Sequence, residues 1–478
     1  MSDASRVWLP PVARIATVGL VCAGVVLGAD GLGALPEALP RTAGERAPVT
    51  RVETFCPGDP FDDKAEVEVS GSVTGLAAPA PVLDGMITPS EEPGRLSLED
   101  LSEEPAPTSD EKPTSGPTSV GRDELDTAVR FRAVEAYAPA AVAVQSFVAG
   151  GEQASGLAAV SCAAPTADAW LVGGGAEKGR QERLVLVNPG GNAITVRVEA
   201  LGTEGEESVV VPARGREVVL MDAIGGTDTP QAVHVASEGG FVVPTLVDQH
   251  LEGLTPSGVD TVAPTAAPGT RHMIPANADG QNHGIVVGVP GDSDAVVQVR
   301  SLTADGSRSA VVQTVPAGTV VDLDLPDVKG VHAWVVEADE PIVTAAHLRT
   351  EAGNGTSDMA WSVATQGFGG LGGVALPDIP STARRYVNIV SDDGPATVEV
   401  LTLVDDKISR EEVSIEQDSS VEVPIGQATA VWVRPTSGTI HAGVLLIGRE
   451  GDANALAASL PIESARVAVR DVEVVRRK

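Results

Sequence analysis

The sequence predicts an all-β protein in which an N-terminal transmembrane helix precedes tandem immunoglobulin-like β-sandwich repeats, with a β-propeller as the alternative. Three observations lead to this prediction. Short valine-rich stretches alternate apolar and polar residues, which is the two-residue period of a half-buried strand. Helical spacing of apolar residues is not sustained in any of these stretches. Finally, one valine-rich pattern returns about every hundred residues.

The recurring pattern is centred on a turn. Pro189-Gly190 and Pro290-Gly291 each stand between two strand-like stretches, and Asp392-Asp393 holds the same place in a later copy. Pro57-Gly58 marks an earlier copy. Because proline fixes φ and glycine permits positive φ, this dipeptide ends one strand and lets the chain cross to the next. We therefore predict four copies of one folding unit.

The predicted segments follow from these turns and from composition. Residues 89–125 are rich in Pro, Ser, Thr and Glu and have no core pattern, which is typical of a disordered insertion. The predicted repeats cover 36–160, interrupted by that acidic insertion, then 161–268, 269–370 and 371–450, and a C-terminal tail strand covers 451–478.

Each repeat is predicted to contain about seven short strands, as in an immunoglobulin-like sandwich. Ile194, Val196 and Val198 illustrate one buried strand face. Trp334 and Trp432 occupy matching places in the pattern, so we expect them to fill the same core layer. In the propeller alternative, the strands form four-stranded blades, and the C-terminal stretch ARVAVRDVEVV pairs with the first repeat to close the ring.

The N-terminal segment predicts the location of the protein. Residues 1–14 carry Arg6 and Arg14, and residues 15–35 are apolar apart from Asp30. This stretch is either a transmembrane anchor, which we favour, or a cleaved signal peptide. Since positive charges stay in the cytoplasm, residues 1–14 are cytoplasmic and the bulk of the chain is extracytoplasmic. We expect a single-pass protein of the cell membrane.

Two of the three cysteines predict a disulfide. Cys56 and Cys162 both lie in the exported part of the chain, where one bond between them is expected. The alternative is a pair of free thiols buried in separate cores. Cys22 lies in the apolar N-terminal segment and follows Val21, which is too large for a lipoprotein cleavage site.

The charge of the chain excludes some partners. Its 66 acidic and 33 basic residues give a formal net charge of -33. Nucleic acid is excluded as a partner because a phosphate backbone needs a basic face. Peripheral binding to anionic lipid is disfavoured for the same reason, so the membrane contact is assigned to the N-terminal helix alone.

Motifs that carry chemistry are missing from the sequence. Its seven histidines show no metal-ligand spacing, and its Gly-rich stretches match neither a P-loop nor a dinucleotide-binding motif. We therefore predict no catalytic, cofactor-binding or metal residues and no cofactor. Two weaker hypotheses remain. One is calcium bound between tandem sandwich domains by two acidic clusters, Asp322, Asp324 and Asp327 and also Asp292 and Asp294. The other is carbohydrate bound by Trp170 or Trp361.

Four short motifs carry a resemblance to a known group of proteins. They are Cys56-Pro57-Gly58, Cys162, the stretch from Trp170 to Gly175, and the stretch from Asn188 to Gly190. In these the chain resembles an actinobacterial family of exported, membrane-anchored proteins of uncharacterised function. The resemblance covers roughly residues 50–450. It implies a role in envelope assembly and supplies no catalytic residues.

These observations predict a non-enzymatic, membrane-anchored extracytoplasmic scaffold or partner-binding protein of the cell envelope. Its partner is expected to be an envelope protein or polysaccharide. The alternative is a β-propeller accessory protein, or a carbohydrate-binding or hydrolase-like module in envelope polysaccharide metabolism.

Overall fold

The computed structural model describes most of the chain outside its two ends. The described residues are 46–61, 69–88, 90–103, 119–123, 125–151, 154–175, 178–203, 205–224, 230–352, 356–450 and 454–470. Nearly all belong to one compact unit, Pro48–Val469. The predicted segments 1–14 and 15–35 lie outside the described residues. Within the described residues, no helix has the length and apolarity needed to cross a membrane.

The described chain is all-β, as predicted. Its helical content is one short α-helix, α1 (Ala80–Leu83), and two 3-10 turns, Glu135–Tyr137 and Met221–Ala223. The first strands are β1 (Arg46–Pro48), β2 (Arg51–Cys56), β3 (Val69–Leu76), β4 (Arg95–Asp100), β5 (Ser119–Arg122), β6 (Val129–Val134), β7 (Val142–Gly150) and β8 (Ser155–Ser161).

Three further sets of strands follow in the second, third and fourth repeats. The second repeat contains β9 (Asp168–Gly173), β10 (Arg180–Asn188), β11 (Ile194–Ala200), β12 (Glu206–Val211), β13 (Gly215–Leu220), β14 (Gln231–Glu238), β15 (Val243–Glu252) and β16 (Thr255–Val262). The third contains β17 (Gly269–Asn277), β18 (Gln281–Gly288), β19 (Ala295–Thr303), β20 (Gly306–Val315), β21 (Val320–Asp324), β22 (His332–Glu351) and β23 (Ser357–Val363). The fourth contains β24 (Gly372–Ala375), β25 (Arg384–Ser391), β26 (Ala396–Val404), β27 (Lys407–Ile415), β28 (Ser420–Pro424), β29 (Ala430–Ser437), β30 (Ile440–Glu450) and β31 (Asn454–Ser464), and β32 (Ala468–Arg470) follows it.

The repeats share one topology, which we describe with strand positions A to H. In the second repeat these positions are β9 to β16 in chain order. One sheet has the order D-C-F-A and the other has the order E-B-G-H. The third repeat has the same two sheets, and its long strand β22 takes position F and then position G. The fourth repeat also has these two sheets, with β24 to β31 in positions A to H. In the first repeat β2, β3, β4, β5, β6, β7 and β8 take positions A, B, C, E, F, G and H, and its described residues contain no strand D.

Alternating side chains explain why these strands stack in layers. In β11, Ile194, Val196 and Val198 are buried, while Thr195 and Arg197 between them are exposed, as the sequence predicted. An antiparallel sheet with this pattern packs its apolar face on the core and exposes its polar face to solvent. The predicted immunoglobulin-like array is nevertheless not confirmed, because position A pairs with F here, whereas an immunoglobulin sheet pairs its first two strands with each other.

The four repeats have a β-propeller-like arrangement. Each H strand contacts the H strands of two other repeats, so β8, β16, β23 and β31 surround one axis. The A strands of the second and third repeats, β9 and β17, also pack on the E-B-G-H sheet of the next repeat, and β24 of the fourth repeat packs on β3 and β7 of the first. The amide of Val49 donates to the carbonyl of Val467 at 3.0 Å, so the C-terminal stretch joins the first repeat as the propeller alternative expected.

Two local predictions are wrong. The segment 89–125 contains β4 and β5, so these parts of the predicted disordered insertion are paired strands; residues 104–118 lie outside the described residues. Trp334 and Trp432 do not fill the same core layer. Trp334 packs inside the third repeat, whereas the Trp432 indole donates to the carbonyl of Ala140 in the first repeat, at 3.0 Å. The predicted boundary between the fourth repeat, 371–450, and the tail strand, 451–478, also differs from the structure. Strand β31 lies in the predicted tail but belongs to the fourth repeat.

A single carboxylate holds the four H strands together at the axis. Asp358 in β23 is fully buried. Its oxygens accept one backbone N–H from each H strand: Leu157 at 2.8 Å, Val259 at 3.3 Å, its neighbour Met359 at 2.9 Å and Ala457 at 2.6 Å. Burial raises the pKa of Asp358 well above its usual range, whereas the four N–H donors lower it. Since all four contacts are backbone N–H donors, both carboxyl oxygens serve as acceptors in them.

The matching residues of two other repeats make room for this carboxylate. Gly156 and Gly258 precede the donors Leu157 and Val259, and both have positive φ, 143° and 128°. A Cβ at Gly156 would lie 2.0 Å from the Oδ1 atom of Asp358, and a Cβ at Gly258 would lie 2.7 Å from the Met359 nitrogen. Glycine is therefore required beside the axis both for its conformation and for its lack of a side chain.

Removing the axial carboxylate should destabilise the whole ring. In Asp358→Ala, buried N–H groups of four strands lose their acceptor, and each unsatisfied buried donor costs about 1–3 kcal/mol. We expect the free energy of unfolding, measured with urea, to fall by at least about 3 kcal/mol. Asp305→Ala, at an exposed turn, is the matched control, with an expected change within about 0.5 kcal/mol. Equal effects of the two substitutions would contradict the role of Asp358.

Candidate functional site

The predicted disulfide is present between Cys56 and Cys162. Their Cα atoms lie 4.4 Å apart, and the sequence separation is 106 residues. Cys56 ends β2 and Cys162 follows β8, so the bond joins positions A and H of the first repeat. Cys56 is fully buried and Cys162 is nearly so. The bond closes a long loop, for which the chain-entropy model gives a stabilisation of at most about 4–5 kcal/mol.

A network of buried charges lies beside the axis. The guanidinium of Arg180 in β10 donates two hydrogen bonds to Asp248 in β15, at 2.9 and 2.8 Å. Asp248 also accepts from the indole Nε1 of Trp361 in β23, at 2.8 Å. The Trp361 backbone N–H donates to Asp260 in β16, at 2.6 Å. These bonds link the second and third repeats, so the network serves their packing.

Glu182 is another buried carboxyl beside this network, and its pKa is strongly raised. Burial, followed by the nearby Asp248 carboxylate, raises the pKa of Glu182 to about 8. The side chain accepts a hydrogen bond from the Gly175 amide at 3.1 Å and another from Gln231 at 3.4 Å. It is 2% exposed. A raised pKa alone suits a general acid, but Glu182 is enclosed in the core, away from the grooves described below.

The sequence-based hypothesis of a calcium site finds no support in the described part of the structure. Asp322 accepts from His347 Nε2 at 3.0 Å, while Asp327 faces His283 at 3.7 Å, so these carboxylates do not converge with Asp324 on one point. In the part of the chain that the structure describes, no three His, Cys, Asp or Glu side chains are grouped to hold a metal. His272 contacts the carbonyls of Gly269 and Ile342, and burial lowers its pKa.

The Asn188-Pro189-Gly190 turn forms one wall of a groove between the first and second repeats. The Asn188 amide donates to the carbonyls of Asn192, Val211 and Pro212 at 2.8–3.2 Å and accepts from Gly190 at 2.9 Å. These bonds connect the turn between strands B and C to the turn between strands D and E, so Asn188 has a structural role in holding the two turns together. The groove has a volume of about 520 Å³. Other residues at its walls include Arg51, Phe55, Phe241 and Arg466.

A larger cleft separates the third and fourth repeats. Its volume is about 910 Å³. Both signs of charge are present along it, together with one tyrosine; the lining includes Asp279, Lys329, Arg349, Glu351, Arg384, Tyr386 and Glu422. A cleft of this size falls within the usual range for ligand sites in proteins. Its mixed charges suit a polar partner.

The third groove lies on the second repeat and contains one of the two predicted tryptophans. Its volume is about 470 Å³, and it is lined by Trp170, His234, Glu199, Glu206, Thr203 and Gly318, among others. Trp170 is half-buried. The other candidate, Trp361, is 2% exposed and bound to Asp248, so it offers no platform for a sugar.

Comparisons with known proteins identify a family but no activity. A model of DUF5719, described as a family of unknown function, matches residues 118–426. No curated protein matches the chain. A solved structure described as "Biofilm associated protein - BSP domain" aligns with 88% of this chain and 98% of its own, at 8% identity and a TM-score of 0.13. A likeness at this TM-score carries no argument about fold or function.

The raised pKa of Glu182 predicts how stability depends on pH. Its usual pKa is 4.5, so above that value the unfolded chain loses the proton while the folded chain keeps it up to about pH 8. The contribution of Glu182 to stability is therefore complete below pH 4.5 and is lost as pH rises to about 8. Glu182→Gln stays neutral, so its stability relative to the wild type should rise over this range in urea unfolding experiments.

A second variant controls for the loss of one carboxyl group. Glu217→Gln removes a carboxylate from an exposed position of the same repeat. The same trend with pH in both variants would contradict the assignment to Glu182.

Proposed function

Because the chain belongs to DUF5719, a family of unknown function, we propose its function from the structure: a non-enzymatic, membrane-anchored scaffold that binds a partner in the cell envelope. The observation that carries this proposal is the position of the three grooves. Two of them lie between consecutive repeats, the first and second and the third and fourth. The third lies on the second repeat. Concave surfaces on a rigid frame are suited to binding.

The disulfide supports an extracytoplasmic location. Structural disulfides persist in oxidising compartments and are rare in the cytosol. The acidic surface is consistent with solubility there, since net charge keeps a protein apart from its copies. The membrane contact of this proposal is the segment 15–35, which lies outside the described residues. The partner is an envelope protein or polysaccharide.

Buried carboxylates often indicate a catalytic site, but the hydrogen bonds of these carboxylates support a structural role. Asp248 and Asp260 are fully buried and accept hydrogen bonds from Trp361 of the neighbouring repeat. Asp358 is used by four backbone donors at the axis. These carboxylates hold repeats together, so the proposal assigns them to the frame and assigns binding to the grooves.

In-cell labelling tests the proposal. After acid quenching and denaturation of the native cells, Cys56 and Cys162 should react with an alkylating agent only when a reductant is added, because an oxidised pair has no thiol to react. Denaturation is needed because both side chains are buried in the folded chain. A photo-crosslinking residue at Lys329, in the cleft between the third and fourth repeats, should capture a defined envelope component. The matched control is the same residue at Leu254, which is 96% exposed on a hairpin.

Two results would overturn the proposal. One is alkylation of both cysteines after quenching and denaturation without added reductant, which would place the chain in a reducing compartment. The other is a set of crosslinks that does not differ between Lys329 and Leu254, which would remove the cleft as a specific binding surface.

A further inference from the structure

A row of polar and aromatic side chains crosses the D-C-F-A sheet of the second repeat. Trp170 in β9 lies directly opposite His234 in β14. His234 lies opposite Glu199 in β11, and Glu199 lies opposite Glu206 in β12. Directly opposed side chains on one face of a sheet are in contact range. The four side chains therefore form one continuous strip along the groove of about 470 Å³.

The matching rows of the next two repeats are apolar at their A and F positions, while their C and D positions are Arg300 and Ser309 in the third repeat and Leu401 and Arg410 in the fourth. In the third repeat, Met273 and Val335 are buried together with Val390 of the fourth repeat. In the fourth repeat, Gly373 lies beneath Trp432, which is fully buried against the first repeat. Only the second of these three repeats places an imidazole and carboxylates in the row and leaves a groove above it.

The indole of Trp170 is held in a defined orientation. The His234 ring stacks on it with centroids 4.7 Å apart and an interplanar angle of 15°. His234 is held in turn by Asp168, at 2.8 Å from Nε2, and by Glu199, at 3.4 Å from Nδ1. An aromatic ring fixed in this way is a pre-organised platform, so a ligand stacking on it loses less free energy to ordering.

Glycines keep the groove open. Gly202 and Gly318 face each other across it with positive φ, 85° and 67°. A Cβ at Gly205 would lie 1.9 Å from the carbonyl oxygen of Ile224. A side chain at Gly202 or Gly318 would be strained by the positive φ, and one at Gly205 would collide with Ile224, so glycine is required in this part of the groove lining.

We propose that this groove binds a neutral oligosaccharide segment of an envelope polysaccharide, an inference that rests on the envelope location proposed above. The indole offers an apolar face for a sugar ring, since tryptophan combines a large apolar surface with a polar handle. The Glu199 and Glu206 carboxylates only accept hydrogen bonds, so the groove suits a ligand rich in hydroxyl donors.

The charges of the groove favour a neutral sugar over the two charged alternatives. An anionic polymer is disfavoured by Glu199, Glu206 and the overall charge of -33. A cationic side chain of a partner is less well suited, because Glu199 already contacts His234 and pairs with Arg197 at 3.2 Å. The volume of about 470 Å³ also exceeds what one ammonium or guanidinium group fills.

Calorimetry and saturation-transfer NMR on the full chain test this proposal. The probes are cellohexaose, maltohexaose, chitohexaose and α-1,6-mannohexaose, each at up to about 10 mM, so that weak binding is detected. At least one should bind. Trp170→Ala should weaken that binding about tenfold or more, which corresponds to about 1.4 kcal/mol. Trp170→Phe should retain part of the affinity, and Glu206→Gln should weaken it several-fold.

Controls keep the result interpretable. Leu254→Ala, at a 96% exposed position away from the groove, should bind the sugar unchanged. If Trp170→Ala does not fold, Glu206→Gln and the NMR contacts of the sugar decide, since Glu206 is exposed. The inference is overturned if no probe binds, or if binding is insensitive to both Trp170 and Glu206.

A lysine-rich decapeptide is the competing probe. Trp170-dependent binding of that peptide, without binding of any sugar, would overturn the inference and assign the groove to a protein partner. The two proposals can fail separately. If the cysteines are protected and the crosslink at Lys329 is specific, but no sugar binds, this inference is refuted and the proposed scaffold function remains intact.

Discussion

The ring depends on one carboxylate that serves four strands from four repeats. Asp358 accepts backbone N–H groups of Leu157, Val259, Met359 and Ala457 at the point where the H strands meet. Four converging strands would otherwise leave buried donors unpaired, and such donors are costly. Because one residue satisfies all of them, the repeats are not independent. The glycines at 156 and 258 follow from the same constraint, since they leave the space that Asp358 occupies.

The four repeats share the contacts at the axis, but the residues at the junctions between repeats differ from one repeat to the next. Between the third and fourth repeats and between the fourth and first, apolar residues such as Val390 and Trp432 close the inner faces. At the second repeat the same row is occupied by Trp170, His234 and Glu199, and a groove remains. One folding unit copied four times can thus carry different surfaces without changing its topology.

Much of the architecture was predictable from local patterns in the sequence. The alternation in β11, the even spacing of the Pro-Gly turns and the pair Cys56 and Cys162 predicted strands, four repeats and a disulfide, because each depends on neighbouring residues or on composition. The closed ring was not predicted as the first choice, because it depends on contacts between residues about 300 positions apart, such as Trp432 with Ala140. The strands β4 and β5 were missed because their flanking residues are rich in Pro, Ser and Glu.

The axial site was also missed, although a signal was present. Asp358 and Asp260 each stand inside a short stretch otherwise suited to a buried strand, Ser-Asp-Met-Ala-Trp and Gly-Val-Asp-Thr-Val. Aspartate is depleted in strands, and a charged residue is almost never fully buried unless it is paired. An aspartate in such a place therefore indicates a buried acceptor, but the four donors that surround it come from separate repeats and no local pattern reveals them.

Native-state hydrogen exchange on Asp358→Asn tests the central claim most directly. The carboxamide keeps the size of the side chain but has only one acceptor oxygen. If Asp358 joins four repeats, the amides of Leu157, Val259, Met359 and Ala457 should all exchange faster than in the wild type, even though they lie about a hundred residues apart in the chain. Faster exchange confined to Met359 and its own strand, with the other three amides unchanged, would contradict the account.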